Sequence, residues 1–519
     1  MEHFNITFEP DGRQVSIHTG ATLLEAAGQA GIILNTVCGG SGLCGKCTVN
    51  LEPDGKQVLA CQYHIQSNLT VTIPAGSRFF EQKILAHGIE IQAELHPTVR
   101  EKYTAEKVFG LAVDVGTTTV VAKLINMTDG QCLATEAALN PQIRYGDDCI
   151  SRISYAQTDE KLARLQRVII DCINELAAKL CSQTSIEAKH IYEVCVVGNT
   201  TMNHIFLKLP VAGLGQSPYR AFSLDAKDLP PDELSVQINP AGNIHTVENI
   251  AGFVGSDTTA VALAVDINSA EEMTLVVDIG TNGEIVLGTK DKLYAASCAA
   301  GPAFEGARIS CGGRAVEGAI EAVLVNDNDI DLDVIGGGPP HSICGSGLID
   351  AVAVLLDLGV IDSSGRFANP CTLADSLSPA VLERIIEQDG QPAFVLADKV
   401  VLTQKDIRET QLAKAAIRAG IKLLQKKIGL EDCDIKRVLL AGAFGNYIRR
   451  ESALRIGLLP DVPAERIVFV GNAAGSGAQM ILLSRHWRDR AGRLARKIEY
   501  IEIAHEPDFQ NVYADCMLF

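Results

Sequence analysis

No stretch of the 519 residues approaches the ~18 consecutive apolar residues that a membrane-spanning helix needs. The N-terminus, MEHFNITFEPDGRQ, has neither the basic start nor the apolar core of a secretory signal. Positive charge is short as well: 45 Lys and Arg stand against 63 Asp and Glu, a formal charge of −18. A chain so charged repels phosphate backbones and anionic headgroups, which argues against nucleic-acid and membrane partners and leaves a cytoplasmic protein as the expectation. Glycine and proline are not in excess, at 46 and 19, so collagen-like and low-complexity sequence is excluded. Two nucleotide signatures are missing: the Walker GxxxxGK[ST] loop, and a GxGxxG opening a helix after a strand. What remains is 47% hydrophobic and 21% charged, a core-building composition long enough for about three or four structural units.

Fifteen cysteines in a reducing compartment are mostly small buried hydrophobes, and a tight group among them is more a metal or redox site than a disulfide set. Eleven are scattered. Cys38, Cys44 and Cys47 fall within VCGGSGLCGKCTVN, and Cys61 follows in LACQ. Four thiolates suit a two-iron cluster, and Gly39, Gly40, Gly42 and Gly45 let the backbone wrap close to the sulfurs. Zinc is the competing occupant, but four-Cys zinc sites usually come as two CxxC knuckles on separate hairpins. Around these cysteines, residues 4–17 read as a hairpin turned at Pro10-Asp11-Gly12. Thr22 with Glu25 reads as the capping box of a short helix stopped at Gly31, and Leu69–Ile73 reads as a strand. That outline is a β-grasp unit over residues 1–76. The segment resembles 2Fe-2S ferredoxin domains, its C-x5-C-x2-C differing by one residue from the plant-type spacing.

Residues 77–107 mix charge with sparse apolar positions and read as a linker with room for one short helix. Its length would let the ferredoxin unit swing between an electron donor and an acceptor.

Beyond it, one phrase is written twice. Gly110-Leu-Ala-Val-Asp-Val-Gly-Thr-Thr-Thr returns as Leu275-Val-Val-Asp-Ile-Gly-Thr-Asn-Gly-Glu, with Asp114 and Asp278 separated by 278 − 114 = 164 residues. The repeat predicts two similar lobes, residues 108–270 and 271–519, facing each other across a cleft. Gly116 and Gly280 permit a tight turn and close phosphate approach, and the threonine hydroxyls and amides can donate to phosphate oxygens. Asp114 and Asp278, at strand ends, can hold hydrated Mg²⁺ or orient a water, as can Glu284. Buried strands at Val194, Val438 and Val468 run into the small-residue loops GNTTMN, GAFGN and GNAAGSG. Helices over Glu160–Ser182 and Lys405–Ile428 carry apolar stripes, the second through Ile407, Leu412, Ala415, Ala419 and Leu423.

In order and kind these motifs resemble those of the superfamily of acetate and sugar kinases, heat-shock chaperones and actin, an α/β fold duplicated about a nucleotide cleft. The resemblance implies ATP and Mg²⁺ held by Gly116, Thr117, Thr118, Thr119, Asn199, Gly280, Thr281, Asn282, Gly283, Gly345, Ser346, Lys405, Gly442, Ala443, Gly445 and Asn446. Asp114, Asp278 and Glu284 are the catalytic candidates. Arg308, Glu305 and Arg408 are weaker ones, each balanced by a reading as solvated charge. His204 reads as a packed or capping histidine.

The strings VDIGTNGEIVL, GPAFEGARISCG, ICGSGLIDAVAVLLDLGVID and LAGAFGNYI, together with the ferredoxin unit, resemble the reductive activators of corrinoid enzymes. That resemblance implies ATP-dependent reduction of a Co(II) corrinoid to Co(I) for a methyltransferase system. It also implies a corrinoid protein as client, a ferredoxin or flavodoxin as electron donor, and a homodimer. Only about thirty residues stand between the ferredoxin unit and the first lobe, so the sequence reads as lacking the extra middle domain of some members. Cys195, Cys298, Cys311 and Cys344 lack ligand spacing and read as core or loop residues. Three other readings stay open: an ATP-gated donor to another low-potential metalloenzyme, a small-molecule kinase with a regulatory cluster, and a non-enzymatic redox sensor built on an actin-like clamp.

Overall fold

The computed structural model describes residues 3–10, 12–30, 32, 34, 42, 47–74, 77, 108–146, 148–306, 308–326, 328–442 and 448–519. The linker expectation therefore lies outside the described residues, apart from Ser77.

Alternating apolar residues build the N-terminal sheet. Strands β1 (His3–Glu9) and β2 (Arg13–His18) form the expected antiparallel hairpin, and β3 (Thr48–Glu52), β4 (Lys56–Leu59) and β5 (Leu69–Thr72) complete the order β2-β1-β5-β3-β4. Only the β1–β5 pair is parallel, which closes a β-grasp sheet over Ile6, Phe8, Val49 and Val71. Both halves of the Thr22–Glu25 capping box are present on the Leu23–Gln29 helix, whose C-cap is Ala30; Gly31 lies outside the described residues.

The two lobes are written to one plan. In the first, the antiparallel meander β6 (Phe109–Val115), β7 (Thr119–Asn126) and β8 (Cys132–Leu139) leads through the Asp159–Thr184 helix into β9 (Ile191–Gly198), parallel to β6. The short strands β10 (Lys227–Leu229) and β11 (Asn243–Thr246) finish the sheet β10-β11-β9-β6-β7-β8. In the second, β12 (Thr274–Ile279), β13 (Gly283–Gly288) and β14 (Leu293–Cys298) repeat the meander. Two small sheets intervene: β15 (Ala319–Val325), β16 (Ile330–Val334) and β17 (Ser342–Ile343), then β18 (Ile385–Gln388), β19 (Gln391–Ala397) and β20 (Val400–Thr403). The Gln404–Ile428 helix then leads into β21 (Arg437–Ala441), β22 (Ile467–Gly471) and β23 (Ile498–Tyr500), giving the order β22-β21-β12-β13-β14-β23. Threonine caps start both long helices, Thr158 and Thr403, and the stripes predicted for them are buried. Leu412 is the exception: it is 37% exposed, while Gln411 and Lys414 turn inward to bond the C-terminal carbonyls of Met517 and Leu518.

The ferredoxin module is docked on the second lobe. Leu24, Glu25, Gly28, Ile32 and Leu34 share a small recess with Arg450 and Phe469, and His3 pairs with Asp333. Among the described residues, no helix is long and apolar enough to cross a membrane.

Candidate functional site: a carboxylate-rich cleft and a thiol pair

Each meander ends its first strand in an aspartate followed by a tight turn. The Gly116 N–H donates to the Thr119 carbonyl at 3.0 Å, and the Gly280 N–H donates to the Asn282 carbonyl at 3.0 Å. The turns face each other over a cleft of about 300 Å³. Of the residues expected from sequence, it is lined by Asp114, Gly116, Thr117, Thr118, Thr119, Asn199, Asp278, Gly280, Thr281, Asn282, Glu284, Gly345, Ser346 and Gly442. The lobes touch at their turns: Thr281 donates its hydroxyl proton to Glu305 Oε1 at 2.7 Å, so Thr118, 3.0 Å away, is the donor to Thr281.

Buried side chains hold the first turn in shape. Arg152, fully buried, donates through Nη2 to the Thr117 carbonyl at 2.6 Å and through Nε to the Gly146 carbonyl. Asn140 donates to the Gly116 carbonyl at 2.8 Å, and Asn199, the N-cap of the Thr200–Phe206 helix, donates to Thr117 Oγ1 at 2.9 Å. A turn whose carbonyls are tied down from behind keeps its shape when an anion meets its cleft side.

Five carboxylates line the cleft, and four of them act on one another: Asp114, Asp257, Asp278 and Glu284, the last directly across the β12–β13 ladder from Asp278. Burial, then Asp257 and Asp278, raise Asp114 to about 8, despite Lys123. Burial, then Asp257, raise Asp278 to about 7. Burial raises Asp257 to about 6, and burial with Asp257 and Asp278 pushes Glu284 well up. Buried carboxylates raised by one another are short of positive charge, and a hard divalent cation bound through oxygen supplies it. The donor set therefore fits Mg²⁺ carrying phosphate oxygens.

Asp257 was missed by sequence reasoning. It sits in the first turn of the Ser256–Ala264 helix, after Gly255, whose added Cβ would lie 2.4 Å from Asn199 Cα. The Gly-Ser-Asp-Thr string that delivers it has no counterpart in the repeat, so duplication gave no signal. Arg314 and Phe304, also on the cleft wall, were missed too.

Two expected ligands are corrected. Lys405 is exposed on the first turn of its helix and does not line the cleft; its neighbour Asp406, fully buried as the capping-box partner of Thr403, takes the inward position. Gly283 is a packing glycine, because a Cβ there would meet Cys298 Sγ at 2.8 Å and Ile417 at 2.9 Å. Arg308 and Arg408 are exposed, whereas Glu305 does line the cleft. His204 is a packed histidine: Nδ1 donates to the Thr200 carbonyl at 2.8 Å and Nε2 accepts the Phe222 N–H at 3.2 Å. Ala443, Gly445 and Asn446 lie outside the described residues.

At the cluster loop, Cys47 and Cys61 are buried with their sulfurs 3.3 Å apart. That is too long for a disulfide of ~2.05 Å and close to the roughly 3.8 Å between two thiolates on one tetrahedral metal. The described thiols therefore fit a metal–sulfur centre. Cys38 and Cys44 lie outside the described residues. Cys195, Cys298 and Cys344 are buried thiols pushed up by desolvation, the opposite of what a ligand thiolate needs.

Comparison with known proteins agrees with this layout. Residues 272–519 match the model described as the C-terminal domain of RACo, the ASKHA domain. Residues 109–270 match the RACo middle region, and residues 6–66 the 2Fe-2S iron-sulfur cluster binding domain. The expectation that a middle domain is lacking is thereby corrected: the lobe carrying the first aspartate turn is that middle region. The chain is 33% identical to the corrinoid activation enzyme RamQ of Eubacterium limosum over 96% of both chains. It is 26% identical to the [Co(II) methylated amine-specific corrinoid protein] reductase of Methanosarcina barkeri, covering 78% of this chain and 76% of that one. The solved structure of a reductive activator for a corrinoid, iron-sulfur protein superposes with a TM-score of 0.74 at 32% identity, covering 99% of this chain and 98% of that one. With the cluster module, the middle region and the ATPase domain matched in one order and near-complete coverage at this identity, the chain belongs to the family of reductive activators of corrinoid proteins.

Proposed function

We propose that this chain is an ATP-dependent reductive activator that passes one low-potential electron to the Co(II) corrinoid of a methyltransferase system, oxidising its own reduced cluster and restoring Co(I). One observation carries the coupling. The ferredoxin helix rests against Phe469 on β22, and Asn472 and Ala474, just beyond that strand, line the cleft. A change in the cleft therefore has only a few residues to cross before it reaches the docked module.

Delivering an electron to an acceptor a few hundred millivolts too low costs roughly 5–7 kcal/mol, which ATP turnover can offset. The cluster, held by Cys38, Cys44, Cys47 and Cys61, supplies a one-electron carrier. The two turns bind the triphosphate through the amides and hydroxyls of Gly116–Thr119 and Gly280–Asn282. Asp114, Asp257, Asp278 and Glu284 hold Mg²⁺ and orient the attacking water. Gly442, with Ala443, Gly445 and Asn446, flanks the adenosine. The domain limits 1–76, 77–107, 108–270 and 271–519 belong to this proposal. A ferredoxin or flavodoxin as reloading donor, a homodimer and a cytoplasmic setting are proposed on the family resemblance and the charge alone.

Anaerobic mixing with candidate corrinoid proteins tests the reading. Visible spectra are expected to show Co(I) only when reductant and Mg-ATP are both present. ATP cleavage with no Co(I) from any corrinoid protein would point to another metalloenzyme client, and phosphorylation of a small molecule without a protein partner would contradict the reading.

A further inference from the structure

The contact between the ferredoxin module and the second lobe contains an arrangement that neither electron transfer nor ATP binding uses. Strands β15 and β16 pair with a register shift between Ile320 and Ala322, opposite Val334 and Asp333. The extra residue of that bulge is Glu321, and a bulge re-aims the side chain it carries. Glu321 and Asp333 are thereby brought to one point, and His3 at the start of β1 reaches it from the ferredoxin module. One ligand atom from each of the three lies within 4.8 Å of the others.

Asp333 is 1% exposed, and its Oδ2 has no hydrogen-bond partner among the described residues. Its Oδ1 makes an ion-pair contact with His3 Nε2. A buried carboxylate left this way is costly unless a cation meets it. Burial and then Asp333 push Glu321 up to about 7, and no lysine or arginine acts against them. Among the described residues, the pair therefore faces one imidazole and no permanent positive charge.

We propose that His3, Glu321 and Asp333 form a binding site for a divalent cation of the zinc class that fastens the ferredoxin module to the second lobe. One imidazole nitrogen with two carboxylate oxygens is an intermediate donor set that suits zinc better than calcium or magnesium. A neutral histidine with two carboxylates carries two negative charges, which the cation cancels. A tetrahedral ion takes its fourth ligand from solvent beside His3, whose side chain is 21% exposed. Because the ligands come from two modules, the site exists only when they are docked, and cation affinity reports docking. This inference is independent of the identity of the electron acceptor.

The test uses the full chain with its iron cluster loaded, two irons confirmed by elemental analysis, so that the cluster thiols are not available to zinc. The protein is dialysed against Zn²⁺ and then against metal-free buffer, and zinc is counted alongside the variants His3→Ala and Glu321→Gln, the latter nearly isosteric. With the carboxylate cleft kept filled by Mg²⁺ and nucleotide, the expected result is one zinc per wild-type chain, with affinity lowered by at least about tenfold in each variant. A smaller radius of gyration on adding Zn²⁺ is expected in the wild type and not in His3→Ala. No retained zinc in the wild type, or equal zinc in wild type and variants, overturns the proposal.

Discussion

Thr118 and Thr281, 163 residues apart in sequence, place their hydroxyl oxygens 3.0 Å apart across the cleft. Each stands in the turn after its lobe's aspartate, so the duplicated motif meets itself, with Glu305 taking the last proton of the chain. A neutral hydrogen bond is worth about 1 kcal/mol net, or roughly fivefold in an equilibrium constant. Thr281→Val is expected to weaken ATP binding by at least that factor, and Thr281→Ser to stay near wild type; calorimetric titration of the nucleotide checks both.

The cleft carboxylates set a pH dependence. Asp114, Asp278 and Asp257 stand at about 8, 7 and 6 against an ordinary 3.8. A carboxyl raised on folding contributes stability that is full below its unfolded value and is lost as pH rises through its folded one. The nucleotide-free protein is therefore expected to lose Tm between pH 6 and 8, the range bounded by those values. Mg²⁺ with nucleotide competes with these protons and is expected to raise Tm more at pH 8 than at pH 6. Asp257→Asn should flatten both trends. Thermal melts at the two pH values check this, and a Tm independent of pH would contradict it.

The paired glycines are expected to respond differently to alanine. At Gly116 a Cβ would lie 2.7 Å from the Thr119 carbonyl oxygen, a backbone clash. At Gly280 the nearest atom is 3.5 Å away. Gly116→Ala should lower both Tm and ATP affinity, whereas Gly280→Ala should keep Tm and lose affinity, because the methyl occupies space meant for phosphate. Equal ATP affinity in Gly280→Ala and the wild type would remove Gly280 from the binding loop.

Arg152 acts through the turn. Replacing it leaves the buried Thr117 carbonyl and the half-buried Gly146 carbonyl without their donor. Unpaired buried acceptors cost about 1–3 kcal/mol each. Arg152→Met is expected to lower unfolding stability in urea by that order and to weaken ATP binding, while the cluster spectrum stays unchanged.

These residues also show what was legible from the chain. The aspartate turns could be read because duplication wrote the same strand–turn–strand phrase twice, and the long helices because their apolar stripes recur at helical spacing. Asp257 could not, since one carboxylate in a Gly-Ser loop looks like any turn until Gly255 packs against Asn199 and the helix it opens carries the carboxylate to the cleft. Lys405 misled because a cation near a predicted cleft resembles a phosphate ligand; helical rotation turned Asp406 inward instead. The β15–β17 and β18–β20 sheets escaped notice because their strands are short and partly polar, as in Ile330-Asp-Leu-Asp-Val. Docking of the ferredoxin module was equally hidden: Leu24, Ile32 and Phe469 serve one recess from distant segments and share no period.

The central claim is that ATP in the cleft licenses electron transfer from the cluster to cobalt. A single-turnover experiment tests it most directly: reduce the cluster, remove free reductant, mix with the Co(II) corrinoid protein with or without Mg-ATP, and follow Co(I) and cluster spectra together. The account predicts that cluster oxidation and Co(I) formation rise together only with Mg-ATP. Cys44→Ala should lose the cluster and Co(I) formation alike, and Asp278→Asn should keep a reducible cluster yet form no Co(I). Co(I) forming equally well without ATP, or at the wild-type rate in Asp278→Asn, would contradict it.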